Sequence, residues 1–388
     1  MNQTVSKPRT PALSRRRFLT AAGSALALTQ VHGAFAFVGS PNKLVFVILR
    51  GGMDGLSVLI PNTPIIEDLR GNILPAPNAR LDLGADFSLH PSLAGWAELY
   101  HNRQLAFVHA CASAYRERSH FDGQDFLETL AQAPTRDDWL NRAIGLLGGQ
   151  GIGIGPSLPL ALSGRAPTGN WSPQVFDSVS EHLLDRLANL YGPDPLLSQT
   201  LADARALSEI VDVEGGLVRG GPDAQYRASM AAAGRLMAGN GPSVGVVSLD
   251  GWDTHANQVG VLTSRLAALD GGLAALRSEL DSDWPRTVVL IASEFGRTVR
   301  ANGTQGSDHG TGGLVILAGG AVNGGQIHGE WPGIGPGQLH EDRDLAPANA
   351  FESVAKGVLR DHLGLDPDDL DRIVLPNAAP ALNGLIRA

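Results

Sequence analysis

Residues 287–298 read TVVLIASEFGRT. The run Thr287–Ala292 carries no alternation of polar and apolar positions, and Ser293, Glu294 and Arg297 follow it at once. A strand with one wet face alternates, whereas a short run that is apolar or β-branched throughout needs cover on both faces, the condition of a parallel sheet between helix layers. The stretch therefore predicts a strand at the centre of such a sheet. Ligands bind beyond the carboxyl ends of strands in sheets of this kind, and Ser293–Thr298 falls there.

The same pattern recurs on both sides of this segment. Runs at Lys43–Leu49, Leu105–Ala110, Leu158–Leu162, Val244–Leu249 and Gly313–Ala318 predict further buried strands. Helical periodicity separates them at Leu93–Asn102, Phe121–Ala131, Asp137–Leu147, Leu196–Val211, Ala224–Ala238, Val259–Leu280 and Asn349–Leu363. Alternation of this kind predicts an α/β fold, a doubly wound and mostly parallel sheet between helix layers. Gly148 to Gly220 is the least regular stretch and is expected to hold an excursion or lid.

At the N-terminus, Ser14-Arg15-Arg16-Arg17-Phe18-Leu19 precedes an uncharged stretch, Thr20 to Val31, and then Ala34-Phe35-Ala36. A basic head, a short apolar middle and an A-x-A end form an export signal, and the paired arginines are the address of the twin-arginine (Tat) exporter. Residues 1–36 are thus expected to be a twin-arginine signal peptide and 37–388 one mature domain. The apolar run is shorter than the ~20 residues that span a bilayer, so no stable membrane insertion is expected. The destination is periplasmic or extracellular, with the Tat translocase as partner during export. A single cysteine, Cys111, excludes an internal disulfide framework. A net charge of −9 without a basic stripe argues against nucleic acid as a partner. The 48 glycines and 24 prolines follow no period, which excludes collagenous and low-complexity classes.

Polar clusters sit where the strand pattern puts a ligand site. Arg50-Gly51-Gly52-Met53-Asp54-Gly55 follows the first run and would bring one carboxylate to the sheet edge; a glycine turn with an Asp cap reads the same way. Asp250-Gly251-Trp252-Asp253-Thr254-His255 places a carboxylate and an imidazole two residues apart after the fourth strand run. Ser293-Glu294 and Arg297 follow the central run, and Ser307-Asp308-His309-Gly310 precedes the last. Carboxylates and imidazoles gathered at one edge form the ligand set of a hard or borderline cation, and their charges would repel without one. Ser119 and His120 lie before the helix at Phe121. There Ser119 is either an N-cap or a nucleophile at a positive helix end, with Arg116, Arg118 or Arg297 to hold ester oxygens. The glycine turn Gly51–Gly55 lacks the G-x-G-x-x-G of a dinucleotide site, so an oxidoreductase is disfavoured.

Through LRGGMDGLS at 49–57, RSHFDGQDF at 118–126, GWDTHANQ at 251–258, SEFGRT at 293–298 and SDHGTGG at 307–313, the sequence resembles the DUF1501 family of the alkaline phosphatase–sulfatase superfamily. The resemblance implies a site for one or two divalent ions at the carboxyl edge of the sheet, zinc first, with magnesium, manganese and calcium open. It makes Asp54, Asp253, His255, Glu294, Asp308 and His309 candidate ligands and puts Ser119, with His120 beside it, near the nucleophile position; Arg297 would orient the ester. Cys111-Ala112-Ser113-Ala114-Tyr115 lacks the C-x-P-x-R of a sulfatase, and Glu294-Phe295 stands where the phosphatase branch pairs Asp with His. His90, His109, His328 and His340 are expected to be structural or surface residues. Two functions follow: an exported metal-dependent hydrolase of phosphate or related sulfate esters, small or polymeric, or a non-catalytic relative that binds an extracellular polymer or a partner protein.

Overall fold

The computed structural model describes residues 40–84, 86–131, 137–172, 181–211 and 220–387. The signal peptide expected over 1–36 lies outside the described residues. The central sheet has nine strands: β1 (Lys43–Arg50), β2 (Leu105–Ala112), β3 (Gly151–Ile154), β4 (Thr168–Trp171), β5 (Val244–Asp250), β6 (Thr287–Ala292), β7 (Gly313–Ala318), β8 (Gln326–His328) and β9 (Asn349–Ala350). Their order is β8-β2-β7-β6-β1-β5-β3-β4, with β9 also paired to β2. Only β7 runs antiparallel to its neighbours β2 and β6; the other pairs are parallel. The expected mostly parallel sheet is present, and β6 lies in its middle.

Strand β1 shows why the runs are apolar throughout. Val45, Val47 and Leu49 pack into one core with Tyr226, Met230, Leu262, Leu266, Leu269 and Leu273. Leu44, Phe46 and Ile48 point the other way, into a second core with Trp139, Leu140, Phe351, Val354 and Val358. Successive side chains alternate between faces, and both faces are covered by helices, so neither parity of the strand can be polar. Phe46 meets the rings of Trp139 and Phe351 at 5.7 and 5.9 Å. On the first face, helix Gln258–Leu280 lies along Pro222–Met237 and buries its leucines there. Residues 258–286 are long and apolar enough to cross a membrane, a property shared by core helices of this kind.

One expected strand is not there. Leu158–Leu162 gives way to a 3-10 turn, Leu160–Leu162, with Leu162 N bonded to Pro159 O at 3.0 Å. Pro159 has no N–H to donate to a ladder and fixes its own φ, which breaks the run at its second residue. The excursion expected between Gly148 and Gly220 is partly sheet instead: β3 and β4 extend the sheet edge, followed by helices Glu181–Tyr191 and Pro195–Val211.

The topology places the site. Strands β6, β1 and β5 are adjacent and parallel, so Ser293–Arg297, Gly51–Asp54 and Trp252–His255 leave the sheet at one edge. Because β7 is reversed, Ser307–Gly312 enters the sheet at that same edge, and β2 delivers the segment up to His120 there as well.

Candidate metal centre

Close backbone approaches hold these loops together. Gly51, at φ +124°, lies where a Cβ would sit 2.5 Å from Asp253 N, and a Cβ on Gly296 would sit 1.9 Å from Gly312 O. Only glycine permits either contact. Arg297 is buried among the loops. Its Nε donates to Gly52 O at 2.6 Å, Nη1 to Ser307 O at 2.9 Å, and Nη2 to Gly51 O and to Asp253 Oδ1, both at 2.6 Å. It was expected to orient an ester, but its side chain is 0 % exposed and its donors are taken by carbonyls and Asp253. Its place is that of a clamp that positions Asp253.

Around Asp253 stand three imidazoles. His255 Nε2 is 3.2 Å from Asp253 Oδ1, His309 Nε2 is 3.7 Å from the same oxygen, and His120 Nε2 is 3.4 Å from Oδ2. One ligand atom from each of His120, Asp253 and His309 lies within 4.8 Å of the others, and His255 Nε2 stands 2.9 Å from His309 Nε2. Each ring has its other nitrogen against an acceptor: His120 Nδ1 on Glu294 Oε1 at 2.7 Å, His255 Nδ1 on Asp308 Oδ1 at 3.1 Å, and His309 Nδ1 on Arg118 O at 2.8 Å. With protons on those Nδ1 atoms, the three Nε2 lone pairs face inward beside a carboxylate. His120 Nε2 is buried and has no hydrogen-bond partner. His120, Asp253 and His309 form a group whose atoms lie close enough to hold one metal ion, and His255 stands against it at His309 and Asp253.

Burial and neighbouring charges act differently on each of these groups. Burial would raise the Glu294 carboxyl, but hydrogen bonds from His120, Gln124 and Ser293 outweigh it and keep Glu294 below the usual range. The Glu294 bond raises His120, against the effect of burial, whereas burial lowers His309 and favours its neutral form. For Asp253, too, burial pushes upward, but the bond and charge of Arg297 together with the nearby His255 and His120 bring it below the usual range. Asp308 is lowered chiefly by its bond from Asn302 Nδ2, at 3.1 Å.

The sequence candidates therefore separate by place. His120 and His309 stand with Asp253 in one group, and His255 lies against His309 and Asp253. Glu294 and Asp308 lie one bond behind, as acceptors for His120 and His255. Asp54 does not reach the group. It is buried in an ion pair with Arg70 and also accepts from Ser57 Oγ, at 2.7 Å, and from Gln258 Nε2. A carboxylate already neutralised and facing a guanidinium has no claim on an ion in the next loop. Ser119 is the N-cap residue of helix His120–Thr129, but its side chain makes no cap bond and it is only partly buried. Arg116 and Arg118 are also engaged: Arg116 on the carbonyls of Ser113 and Tyr115, Arg118 on Glu341 and Asp344 at 2.6 and 2.9 Å. His109 and His90 are buried and structural, with burial lowering each to about 4.

Sequence reasoning missed Arg70, Gln124 and the carbonyl of Arg118. Gln124 lay inside a quoted motif, four residues after His120, where one helical turn brings it onto Glu294, Nε2 to Oε1 at 3.0 Å. Arg118 adopts φ +58°, a left-handed conformation that aims its carbonyl at His309. Nothing local to Arg70 signals its role.

No curated protein matches the sequence. Among solved structures, the chain is similar to the lipoteichoic acid synthase LtaP from Listeria monocytogenes (7 % identity, TM-score 0.36, covering 89 % of this chain and 78 % of that one). It is also similar to an alkaline phosphatase superfamily protein from Vibrio parahaemolyticus (8 %, TM-score 0.34, 79 % and 69 %). A third likeness is to the PsFucS1 sulfatase from Pseudoalteromonas sp. (12 %, TM-score 0.32, 81 % and 68 %). At these TM-scores the likenesses bear neither on the fold, which rests on the topology above, nor on the chemistry. Residues 189–374 match the family model described as protein of unknown function, DUF1501, and so include the motifs at 251–258, 293–298 and 307–313.

Proposed function

We propose that the protein is an exported, metal-dependent hydrolase of phosphate or related sulfate esters, with one divalent ion held by His120, Asp253, His255 and His309. The observation that carries this reading is the convergence of three imidazole Nε2 atoms on Asp253, each ring pinned through Nδ1. A bound divalent ion at this place supplies Lewis-acid polarisation of an ester oxygen. The chain's own contribution is positioning. Glu294 and Asp308 hold the His120 and His255 rings, the Arg118 carbonyl holds His309, and Arg297 fixes Asp253. The Ser119 hydroxyl, at the N-terminus of helix His120–Thr129, would attack the phosphorus or sulfur in line, forming the seryl ester while the ester C–O oxygen leaves with the hydroxyl proton as the alcohol; water then adds OH to the phosphorus or sulfur and returns its other proton to Ser119, releasing the acid.

The test is elemental analysis of protein purified after export, together with hydrolysis of 4-nitrophenyl phosphate. Expected are one zinc-like ion per chain and turnover that falls at least 100-fold in Ser119→Ala and in Asp253→Ala. Metal-loaded protein that turns over no phosphomonoester, diester or sulfate ester sinks the catalytic reading.

One observation favours a second reading, a non-catalytic relative that binds an extracellular polymer or a partner protein. The arginines expected to grip the ester, Arg116, Arg118 and Arg297, are spent on the protein itself. Binding to cell-surface material that survives in Ser119→Ala, without turnover in the parent, supports it. Export of the folded chain by the Tat translocase to the periplasm or beyond rests on Arg15-Arg16 and the A-x-A at Ala34–Ala36. Retention of an Arg15→Lys/Arg16→Lys variant in the cytoplasm is the expected result, and undiminished export argues against the route.

A further inference from the structure

Arg50 closes strand β1, and Gln124 and Glu128 lie one turn apart on helix His120–Thr129; together they form a chain that ends on the support of His120. Arg50 Nη2 donates to Glu128 Oε1 at 2.6 Å and to Ser248 Oγ at 3.2 Å, and Arg50 Nη1 donates to Gln124 Oε1 at 3.0 Å. Gln124 Nε2 donates in turn to Glu294 Oε1 at 3.0 Å, the oxygen that also receives His120 Nδ1 at 2.7 Å and Gly51 N at 2.9 Å. A guanidinium can only donate and a carboxylate can only accept. These two neighbours therefore leave the Gln124 amide one orientation, carbonyl toward Arg50 and NH2 toward Glu294. The i, i+4 spacing of Gln124 and Glu128 puts both within reach of one guanidinium.

We propose that Gln124 and Arg50 are positioning residues for His120 at the metal centre, acting through Glu294, with Glu128 as the counter-charge that keeps Arg50 in place. The inference rests on the metal centre proposed above and adds to it the groups that aim one of its imidazoles. Glu294 Oε1 is held from two elements, by Gly51 N in the turn after β1 and by Gln124 in the helix that carries His120. His120 and Gln124 are themselves four residues apart, so ring and amide clasp the same oxygen from one face of that helix. Without Gln124 the carboxylate keeps its backbone donor but loses its tie to the helix, and the angle at which His120 Nε2 meets Asp253 is free to drift. Stability does not account for the chain. Glu128 is 2 % exposed and its Oε2 is buried with no hydrogen bond among the described residues, so the loss of water by this ion pair offsets most of its attraction. What the pair supplies is a fixed donor opposite the Gln124 carbonyl.

The experiment is competition between the exported protein and a chromophoric chelator for zinc, alongside 4-nitrophenyl phosphate turnover and circular dichroism of the metal-free variants. Gln124→Met, close in volume but without the amide donor, should weaken zinc binding about tenfold. Arg50→Met with Glu128→Met removes both charges, so neither is left buried alone, and should weaken it about threefold. In a Glu294→Gln background each loss should shrink to about twofold or less, because the acceptor being held is no longer charged; a merely structural role would add its full cost there. Parent-like zinc affinity in folded Gln124→Met overturns the proposal, and so does a loss that persists in full beside Glu294→Gln. The expected losses in a protein that hydrolyses no ester support the positioning role and overturn the hydrolase reading. Turnover with a zinc affinity indifferent to these substitutions does the reverse, and a parent that takes up no zinc overturns both.

Discussion

Asp54 and Asp253 follow adjacent parallel strands, β1 and β5, each in a turn with glycine, and they end in opposite conditions. Asp54 is 1 % exposed, paired with Arg70 and bonded by Ser57 and Gln258. The Asp253 side chain is 45 % exposed, clamped by one arginine at the back and faced by three imidazoles at the front. Sequence position alone gives both the same standing. What separates them is whether the neighbouring groups neutralise the carboxylate or leave it an open side, and this difference sets what each can do.

The largest effect is expected where the carboxylate is closed in. Asp54→Ala leaves the buried Arg70 charge uncompensated and should lower unfolding stability by about 3–5 kcal/mol, measured by denaturant titration of the metal-free protein. Replacing both partners together, Asp54→Leu with Arg70→Met, should restore most of it. If Asp54→Ala instead costs little stability and removes bound metal, the contrast between the two aspartates is broken. Asp253→Ala should behave in reverse. Metal affinity should fall more than 100-fold, which is about 2.7 kcal/mol or more, while metal-free stability stays within about 1 kcal/mol because the side chain is half in water.

This contrast also marks how much could be read from the chain. The strands at β1, β5, β6 and β7 were legible because a doubly covered strand must be apolar on both parities, and the site lay at their carboxyl ends for topological reasons. Strands β3 and β4 were not, since GIGI, though buried, is only four residues with glycine at every other position, and TGNW has no apolar run. Asp253, His255 and His309 could be nominated from their loops. The pairing of Asp54 with Arg70 could not, because a partner 16 residues on, in another turn, carries no periodic signal. Nor could the occupation of Arg297 by carbonyls, which depends on how three loops meet.

The histidines sharpen the comparison through pH. His109 is buried, with Nε2 3.1 Å from Leu59 O and the Trp331 ring tilted against it at 4.7 Å, and burial lowers it from the ordinary 6.5 to about 4. A lowered folded value means that the unfolded chain binds the proton first. The stability that His109 contributes is therefore intact above about pH 6.5 and is lost as pH falls toward 4, by up to about 1.4 kcal/mol per pH unit. His109→Gln should flatten that slope in the metal-free protein by a comparable amount. Around Asp253 the directions divide: the Glu294 bond raises His120, whereas burial lowers His309. An unchanged slope in His109→Gln would move the acid sensitivity to the metal centre.

The smallest effect tests how the centre's outer support is built. Arg118 holds His309 through its carbonyl, not its side chain, from a left-handed conformation that costs an L residue about 1–2 kcal/mol. Its guanidinium ties the same backbone to Glu341 and to Asp344, which is fully buried but also held by Thr311 Oγ1 at 2.9 Å and Arg343 at 3.3 Å. Arg118→Gly removes the ties and the strain together, so stability should change by less than about 1 kcal/mol. Arg118→Ala removes the ties and keeps the strain, and should be the less stable of the two by about 0.5–1 kcal/mol. Because the carbonyl survives in both, metal affinity should fall only a few-fold, far less than in Asp253→Ala, by competition with a chromophoric chelator. A loss as large as that of Asp253→Ala would mean that the side chain, and not the backbone it pins, sets the orientation of His309.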